Sequence, residues 1–165
     1  MKFSTRFAQG IFTLLIIEYF KPMRITSTFI AEKMNGNPVV YRNLLGRLKH
    51  AGLVTVTQGN SREGIKLNRP LSAITLLDVL VAVEDVDSLN VFKNHDKFSE
   101  VSDDARLISE ILFPYFEASL KASCLYYDQV TLGDIMDLFL IKQQEQQDYN
   151  PKNSELYKSA AEEYQ

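Results

Sequence analysis

Apolar residues recur at the spacing of α-helices in the first part of the chain, with short polar turns between them. The first helix is predicted at about residues 4–20, where Ser4 or Thr5 can cap its start. A second, shorter helix is predicted at about 26–34, with Ser27 or Thr26 as its cap. It ends at Asn35-Gly36, whose glycine can take the left-handed position. The residues expected to face inward on these helices are Phe7, Ile11, Leu14, Leu15, Phe20, Phe29, Ile30 and Met34.

A third helix is predicted at about 37–50, directly after this turn. Asn37 is a favourable N-cap residue, and Pro38 stands at the first helical position, where proline is tolerated. Two short helices joined by a tight turn that contains glycine are typical of a helix-turn-helix, whose second helix can enter the major groove of DNA. An ordinary antiparallel helix pair would have the same pattern.

The segment after the third helix distinguishes these two alternatives. Residues 53–57 alternate as a strand does, residues 58–62 have the composition of a turn, and residues 64–67 can return as the partner strand. Three helices followed by a hairpin is the order of a winged helix. The sequence therefore predicts a winged helix-turn-helix DNA-binding domain over residues 1–85.

The third predicted helix has two distinct faces when its residues are placed at about 100° intervals. The inward face has Tyr41, Leu44, Leu45 and Leu48. The outward face has residues suited to DNA, because arginine can bond guanine, asparagine can bond adenine and valine can contact a thymine methyl. The candidates for base readout are Val39, Arg42, Asn43 and Arg47. The two arginines could instead reach only phosphate, and a solvated face that reads no sequence is the alternative.

The second half of the chain is predicted to be helical and to serve association. A helix capped by Thr75 is expected to end near residue 83, and a polar connection over 85–104 leads to a long helix at about 103–126. The apolar stripe of this long helix is expected to contribute to the core. Its members are Leu107, Ile108, Ile111, Leu112, Tyr115, Leu120 and Cys124.

A last helix, capped by Thr131, is predicted to end at about residue 142, where the composition becomes polar. Residues 86–142 are therefore interpreted as a helical region. Residues 143–165 are interpreted as a polar C-terminal tail that is mobile or only partly helical.

The charges divide between the two halves. Residues 1–70 contain 11 Lys and Arg against 3 Asp and Glu, a net charge of +8, whereas residues 71–165 contain 7 against 18, a net charge of −11. Clustered cations favour binding to a polyanion, because each neutralised phosphate releases counterions. The first half is thus expected to contact nucleic acid, although a solvated basic face would have the same composition.

Four stretches of the first 85 residues occur in a recognisable order. They are MKFSTR at 1–6, IAE at 30–32, LLGRLKHAGLV at 44–54 and RPLSAITLLDVLVAVE at 69–84. Together they resemble the Rrf2 family of bacterial winged-helix regulators. The resemblance implies a mainly α fold with a small β-hairpin, and a transcription regulator that binds a palindromic operator in double-stranded DNA as a homodimer. Repression is the expected mode, because no activation segment is visible.

The resemblance also implies contacts outside the third helix. The candidates for backbone contacts are Lys2, Ser4, Thr5, Arg6, Thr26, Ser27 and Thr28, although helix capping alone would explain the last three. The wing candidates are Gln58, Asn60, Ser61 and Arg62. The wing departs from the family pattern, since Arg62 must replace a missing cation and Glu63 beside it would oppose that role. The resemblance further implies that the helical region 86–142 is a dimerisation region. The implied dimer interface consists of Leu107, Ile108, Ile111, Leu112, Tyr115 and Leu120.

The iron–sulfur members of the family hold their cluster with three cysteines in the connection before the long helix. Residues 85–104 contain no cysteine, and His95 alone cannot replace three thiolates. No cofactor is therefore expected, and Cys124 is expected to be a small buried core residue. An unknown small-molecule effector or a partner protein could act between the two halves, but no residue identifies it.

The composition argues against an enzyme. The chain has two histidines, no glycine-rich phosphate loop and no Cys/His spacing suited to a metal. A winged-helix module that binds an acidic protein instead of DNA is the remaining alternative. The apolar run at 11–17 is too short to span a bilayer and has no cleavage site, so a soluble cytoplasmic protein with no membrane partner is expected.

Overall fold

The computed structural model describes residues 4–57, 64–84 and 102–148. Within these residues it is mainly α-helical with one two-stranded antiparallel sheet, as predicted. The element order is α1 (Thr5–Tyr19), α2 (Ser27–Lys33), α3 (Pro38–His50), β1 (Val54–Val56), β2 (Ile65–Leu67), a 3-10 helix (Leu71–Ala73), α4 (Leu76–Val83), α5 (Asp103–Gln129) and α6 (Leu132–Asp148). The first three helices and the hairpin form the predicted winged helix-turn-helix.

The first three helices begin at polar residues that the sequence offers as caps, with Ser4 and not Thr5 at α1 and Thr26 and not Ser27 at α2. The side chains of Ser4, Thr26 and Asn37 each accept a hydrogen bond from a backbone N–H of the first helical turn, at 3.3, 3.1 and 2.9 Å. Each cap satisfies a donor that has no partner inside the helix. The starts of α1, α2 and α3 therefore follow from local sequence.

The turn between α2 and α3 differs from the prediction. Asn35, and not Gly36, has the left-handed conformation, with φ of 47°. Gly36 is instead required by close packing, because a Cβ at this position would lie 2.7 Å from Cε2 of Tyr41. The pattern located the turn but assigned the left-handed position to the wrong residue, because it could not show that the ring of Tyr41 packs against Gly36.

The hairpin is fixed at its base to the helix-turn-helix. β1 and β2 pair antiparallel, with Val54 opposite Leu67. The Ile65 N–H donates to the carbonyl of Ile25, just before α2, at 3.0 Å. Gly64, with φ of 68°, allows this approach, because a Cβ there would lie 2.6 Å from the same carbonyl oxygen. The tip of the hairpin lies outside the described residues.

The start of α4 has a capping box. The Thr75 hydroxyl accepts from the Asp78 N–H at 3.1 Å, and the Asp78 carboxylate accepts from the Thr75 N–H at 3.0 Å. Asp78 also pairs with Arg69 at 3.0 Å. The predicted boundaries of this helix, from Thr75 to residue 83, are confirmed.

Backbone hydrogen bonds join the start of α6 to the segment before α4. The Leu76 N–H donates to the Val130 carbonyl at 2.9 Å, and the Leu132 N–H donates to the Ile74 carbonyl at 2.8 Å. These two bonds flank an isolated bridge between residues 75 and 131. The turn between α5 and α6 is therefore anchored to the segment that leads from the hairpin into α4.

Thr131 caps α6, as predicted. Its hydroxyl accepts from the Asp134 N–H at 3.1 Å, and its own N–H and hydroxyl donate to the Asp134 carboxylate at 2.9 and 2.7 Å. These hydrogen bonds stabilise the charged carboxylate and lower the pKa of Asp134. The helix continues to Asp148, so the start of the predicted polar tail is helical; residues 149–165 lie outside the described residues.

One hydrophobic core joins α1, α3, α4 and the start of α6. Its fully buried side chains include Leu14, Ile17, Tyr41, Leu48, Val79 and Leu132. Burial raises the pKa of the Tyr41 phenol. The helices α1 and α4 meet at Gly10, where a Cβ would lie 2.9 Å from Cγ1 of Val79 and 3.1 Å from Cγ1 of Val83.

The apolar stripe predicted on the long helix consists of two opposite faces. The first face is solvent-exposed and has Leu107, Ile108, Ile111, Leu112 and Tyr115, of which Tyr115 is 73% exposed. Leu120 and Cys124 lie on the opposite face and are half-buried. This second face points to the core, because the ring of Tyr127 contacts that of Phe7 with centroids 5.7 Å apart. The predicted core role is therefore wrong for the five residues of the first face.

The contact between α1 and α4 can be tested by replacing glycine with alanine at Gly10 and, as a control, at Gly46. Gly10→Ala and Gly46→Ala both raise helix propensity by about 1 kcal/mol. Only Gly10→Ala also forces a methyl group against α4, since a Cβ at Gly46 meets no atom within 4 Å. In urea denaturation we expect Gly46→Ala to be more stable than wild type and Gly10→Ala to be at least about 1 kcal/mol less stable than Gly46→Ala. Equal gains in both variants would contradict the close contact.

Candidate nucleic-acid interface

The outward face of α3 has the exposed residues that the sequence predicts. Val39 is 53% exposed, and Arg42 and Asn43 are also exposed. Gly46 lies between them and His50 on the same face, and the space beyond its Cα is open. The start of α3 therefore presents an apolar contact, a cation and a carboxamide to solvent, with no side chain at Gly46 to hinder a close approach.

Arg47, the fourth candidate for base readout, lies at the edge of this face. Its guanidinium donates to the Val83 carbonyl, at the end of α4, at 3.2 Å, and the side chain is half-buried. This contact joins α3 to the C-terminal carbonyls of α4, where a cation is favourable. Arg47 is thus held by the protein itself, whereas Arg42 has no hydrogen-bond or ion-pair partner among the described residues.

A groove of about 720 Å³ lies between the start of α2, α3 and the base of the hairpin. Its lining includes three cations, Arg24, Arg42 and Lys49. Hydroxyl groups of Thr26, Ser27 and Thr57 line the same groove. Cations and hydroxyls are the groups that proteins use to contact phosphate oxygens.

Arg24 and Lys49 are site candidates that sequence reasoning missed. Lys49 follows Arg42 by seven residues and so lies on the same side of α3, a signal that was available in the sequence. Arg24 lies in the loop between α1 and α2, where no periodic pattern identifies the direction of a side chain. Only the folded chain brings it beside α3.

Thr26, Ser27 and Thr28, the candidates for backbone contacts at the start of α2, have different environments in the structure. Thr26 is half-buried and its hydroxyl caps α2, Ser27 is half-buried in the groove, and Thr28 is exposed. Thr26 thus has the structural role that capping alone would explain.

The N-terminal segment has a mixed environment. Thr5 and Arg6 are exposed, but the Ser4 hydroxyl donates to the carboxylate of Glu84 at the end of α4. A carboxylate in this position would repel a phosphate at Ser4. Lys2, like the wing candidates Gln58, Asn60, Ser61 and Arg62, lies outside the described residues.

Within the described residues, no helix is long and apolar enough to cross a membrane. Nor does this part of the chain contain a group of three or more His, Cys, Asp or Glu that could hold a metal ion. Cys124 is half-buried, where full burial was expected.

The fold and the exposed face of α3 define a winged helix-turn-helix protein. Solved structures with this architecture match most of the chain. A candidate DNA-binding protein is 28% identical, with a TM-score of 0.64 over 80% of this chain and 99% of that chain. A candidate transcriptional regulator from Lactobacillus plantarum is 25% identical, with a TM-score of 0.65 over 86% and 97%. CymR, the global cysteine regulator of B. subtilis, shares the fold at 20% identity, with a TM-score of 0.60 over 84% and 98%.

The family model of Rrf2, described as an iron-dependent transcriptional regulator, matches residues 3–138. The chain belongs to the Rrf2 family of transcriptional regulators. This confirms the resemblance that the first 85 residues indicate, and it confirms the expectation of a regulator rather than an enzyme. No curated protein matches the chain.

The iron in the family description does not fit the donors of this chain as an iron–sulfur cluster. Such a cluster needs several thiolates, and Cys124 is the single cysteine of the sequence. That cysteine lies on α5, on the face toward the core, and not in the connection before this helix. We therefore derive no function through a cluster.

Stability measurements can distinguish the environments of Arg42 and Arg47 on α3. Arg47→Ala removes the hydrogen bond to the Val83 carbonyl, so we expect it to lower the free energy of unfolding by about 0.5–1.5 kcal/mol. Arg42→Ala on the exposed face should change it by less than about 0.5 kcal/mol. Urea denaturation of the two variants and wild type measures both values. A larger loss for Arg42→Ala than for Arg47→Ala would contradict the observed contacts.

Proposed function

We propose that this chain is a sequence-specific DNA-binding regulator that binds a palindromic operator as a homodimer and represses transcription. Each protomer would insert the start of α3 into the major groove of one half-site. Val39, Arg42 and Asn43 would contact base edges, and the cations of the groove beside α3 would contact phosphates.

The observation that carries this proposal is the composition of the exposed face of α3. An exposed valine, arginine and carboxamide stand together near the start of a helix whose other side is fully packed. A helix face that was merely solvated would not need a half-exposed valine or a glycine beside the two polar groups. The same groups are suited to thymine, guanine and adenine.

The cations around this face support the same partner. Arg24, Arg42 and Lys49 line one groove, next to the base of the wing. The acids of the chain lie mostly in residues 71–165, so the basic surface would meet DNA while the acidic half would be repelled from it. Association should therefore be strongly dependent on salt.

The exposed face of α5 supports a dimer. Leu107, Ile108 and Ile111 are each 57% exposed, and Leu112 and Tyr115 continue the same face along the helix. A contiguous apolar surface of this kind is typical of a subunit interface. A two-fold symmetric pair would present two α3 helices to half-sites about one helical turn of DNA apart.

Repression is proposed because a bound dimer can exclude polymerase from a promoter. The proteins of known structure that it resembles include a candidate DNA-binding protein and a global regulator, in agreement with this function. A regulator of this kind works on the chromosome, in the cytoplasm of a bacterium.

Asn43→Ala tests base readout. We expect this variant to lose about 1–3 kcal/mol of discrimination between a selected operator and random DNA, because the carboxamide no longer bonds to a base edge. Lys49→Ala is the matched control, since loss of a phosphate contact should weaken both DNAs alike and reduce the salt slope by about 1. The measurement is fluorescence anisotropy titration over a series of salt concentrations.

Equal losses on both DNAs for Asn43→Ala would remove this residue from base readout. Absence of salt-dependent DNA binding by the wild-type chain would instead favour a module that binds an acidic protein.

Ile111→Glu tests the dimer. The side chain is exposed in the protomer, so the substitution should leave the fold intact but place a charge in the proposed interface. We expect wild type to sediment at about twice the chain mass and Ile111→Glu to sediment as a monomer, with operator affinity reduced at least about ten-fold.

Val40→Glu is the matched control for this experiment. It also changes an exposed apolar residue to an acid, but at the start of α3 and away from α5. Its sedimentation in the absence of DNA should equal that of wild type. A wild-type chain that sediments as a monomer at micromolar concentration would contradict the proposed dimer.

A further inference from the structure

A second concave site lies at the C-terminal end of α2, whereas the groove of the proposed DNA interface lies at its start. It is a cavity of about 380 Å³ between α1, the C-terminal end of α2 and α6. This volume lies in the range of pockets that bind small organic molecules. None of the base-readout candidates lines it.

The walls of this cavity are apolar and partly aromatic. Phe12 and Ile16 come from α1, Met34 follows α2, and Met136 and Phe139 come from α6. Phe12 and Phe139 remain 50% and 44% exposed, so the protomer does not fill the space between them. Methionine side chains adapt readily to a bound ring.

Aromatic rings form one side of the cavity. Tyr19 stacks edge-to-face on Phe20, with centroids 5.0 Å apart, and on Phe139, with centroids 5.2 Å apart. A further aromatic ring could extend this arrangement, because aromatic side chains prefer such offset and edge-to-face contacts. The Tyr19 phenol and the Gln143 carboxamide, 2.8 Å apart, join α1 to α6 near this side of the cavity.

Among the described residues that line the cavity, one is a cation, Lys33, the last residue of α2. Its ammonium lies 4.8 Å from the centroid of the Phe20 ring. No carboxylate among the described residues pairs with it, and Glu18, an acid of the neighbouring α1, pairs with Lys21 at 2.9 Å. A bound cation would be repelled here, whereas an anion would find an ammonium without an acidic partner.

We propose that this cavity binds a small aromatic monocarboxylate, with its ring between the methionines and the aromatic wall and its carboxylate on the Lys33 ammonium. The ring would bury apolar surface that is now exposed at Phe12 and Phe139. The carboxylate would form a charge-assisted hydrogen bond at the edge of the cavity.

The position of the site connects it to the DNA-binding half of the chain. The ligand would contact both the end of α2, the first helix of the helix-turn-helix, and α6, whose start is anchored beside α4. Binding would therefore bias the position of α2 and α3 relative to α6. This regulatory part rests on the proposed DNA-binding function, and the coupling must be reciprocal between ligand and DNA.

Indole-3-acetate is a suitable probe, because the chain contains no tryptophan and indole can be excited at wavelengths that its tyrosines do not absorb. The purified full-length chain is titrated against indole-3-acetate and against its neutral analogue indole-3-acetamide, without DNA. We expect saturable binding of one acid per protomer. Lys33→Met should weaken binding of the acid about five- to ten-fold and leave the amide unchanged, and Lys33→Arg should restore binding of the acid.

Lys121→Met on α5 is the matched control, because it removes the same charge far from the cavity lining; it should bind the acid as wild type does. Equal affinity for acid and amide, or an equal loss in Lys33→Met and Lys121→Met, would overturn the role of Lys33. Absence of saturable binding of either probe would overturn the site itself. A second copy of the chain that covered the cavity would give this same result.

The regulatory part is measured separately as the affinity for a selected operator with and without saturating probe. We expect the probe to change this affinity at least three-fold in wild type and not in Lys33→Met. Probe binding with unchanged operator affinity would overturn the coupling but keep the site. Loss of DNA binding in the absence of probe would overturn the proposed function and not the ligand site, since the ligand titration contains no DNA.

Discussion

The burial of one face of α3 is the constraint on which the rest of the structure depends. Tyr41, Leu44, Leu45 and Leu48 are each exposed by 3% or less, so this helix has only one rotation about its axis that keeps the core dry. That rotation presents Val39, Arg42 and Asn43 to solvent. A rotated α3 would bury an arginine and an asparagine, and it would leave three leucines in water.

Two further contacts relate this face to the remainder of the chain. Arg47 joins the end of α3 to the carbonyl of Val83, and the hydrogen bonds between residues 74–76 and 130–132 join the same region to the turn between α5 and α6. The exposed face of α5 is thereby connected to α3 through short, well-packed links. In the proposed dimer, the packing of two α5 helices would set the separation of the two α3 helices, and so the spacing of the half-sites.

Most of the fold could be predicted from the sequence because its signals are local. Caps, proline at the first position of α3 and the apolar periodicity identify each winged-helix element within one or two residues. The errors arise where distant residues meet. The ring of Tyr41 decides the role of Gly36, and the core packing of Tyr127 divides the predicted stripe of α5 into two faces.

The candidate site also has some features that local sequence predicts and others that depend on contacts between distant residues. The face of α3 depends on helical geometry alone, so its exposed members were predictable, whereas the engagement of Arg47 depends on where α4 ends. Arg24 and the cavity around Lys33 depend on loops and on packing between helices far apart in sequence, for which no periodic pattern exists. These features require the folded chain.

The central claim is that the exposed face of α3 reads a specific duplex sequence as one half of a symmetric pair. The most direct measurement is selection of genomic DNA fragments by the purified chain, followed by sequencing of the bound fraction. Our account predicts enrichment of an inverted repeat whose half-sites are about one helical turn apart. A bound fraction with the composition of the input DNA would contradict it.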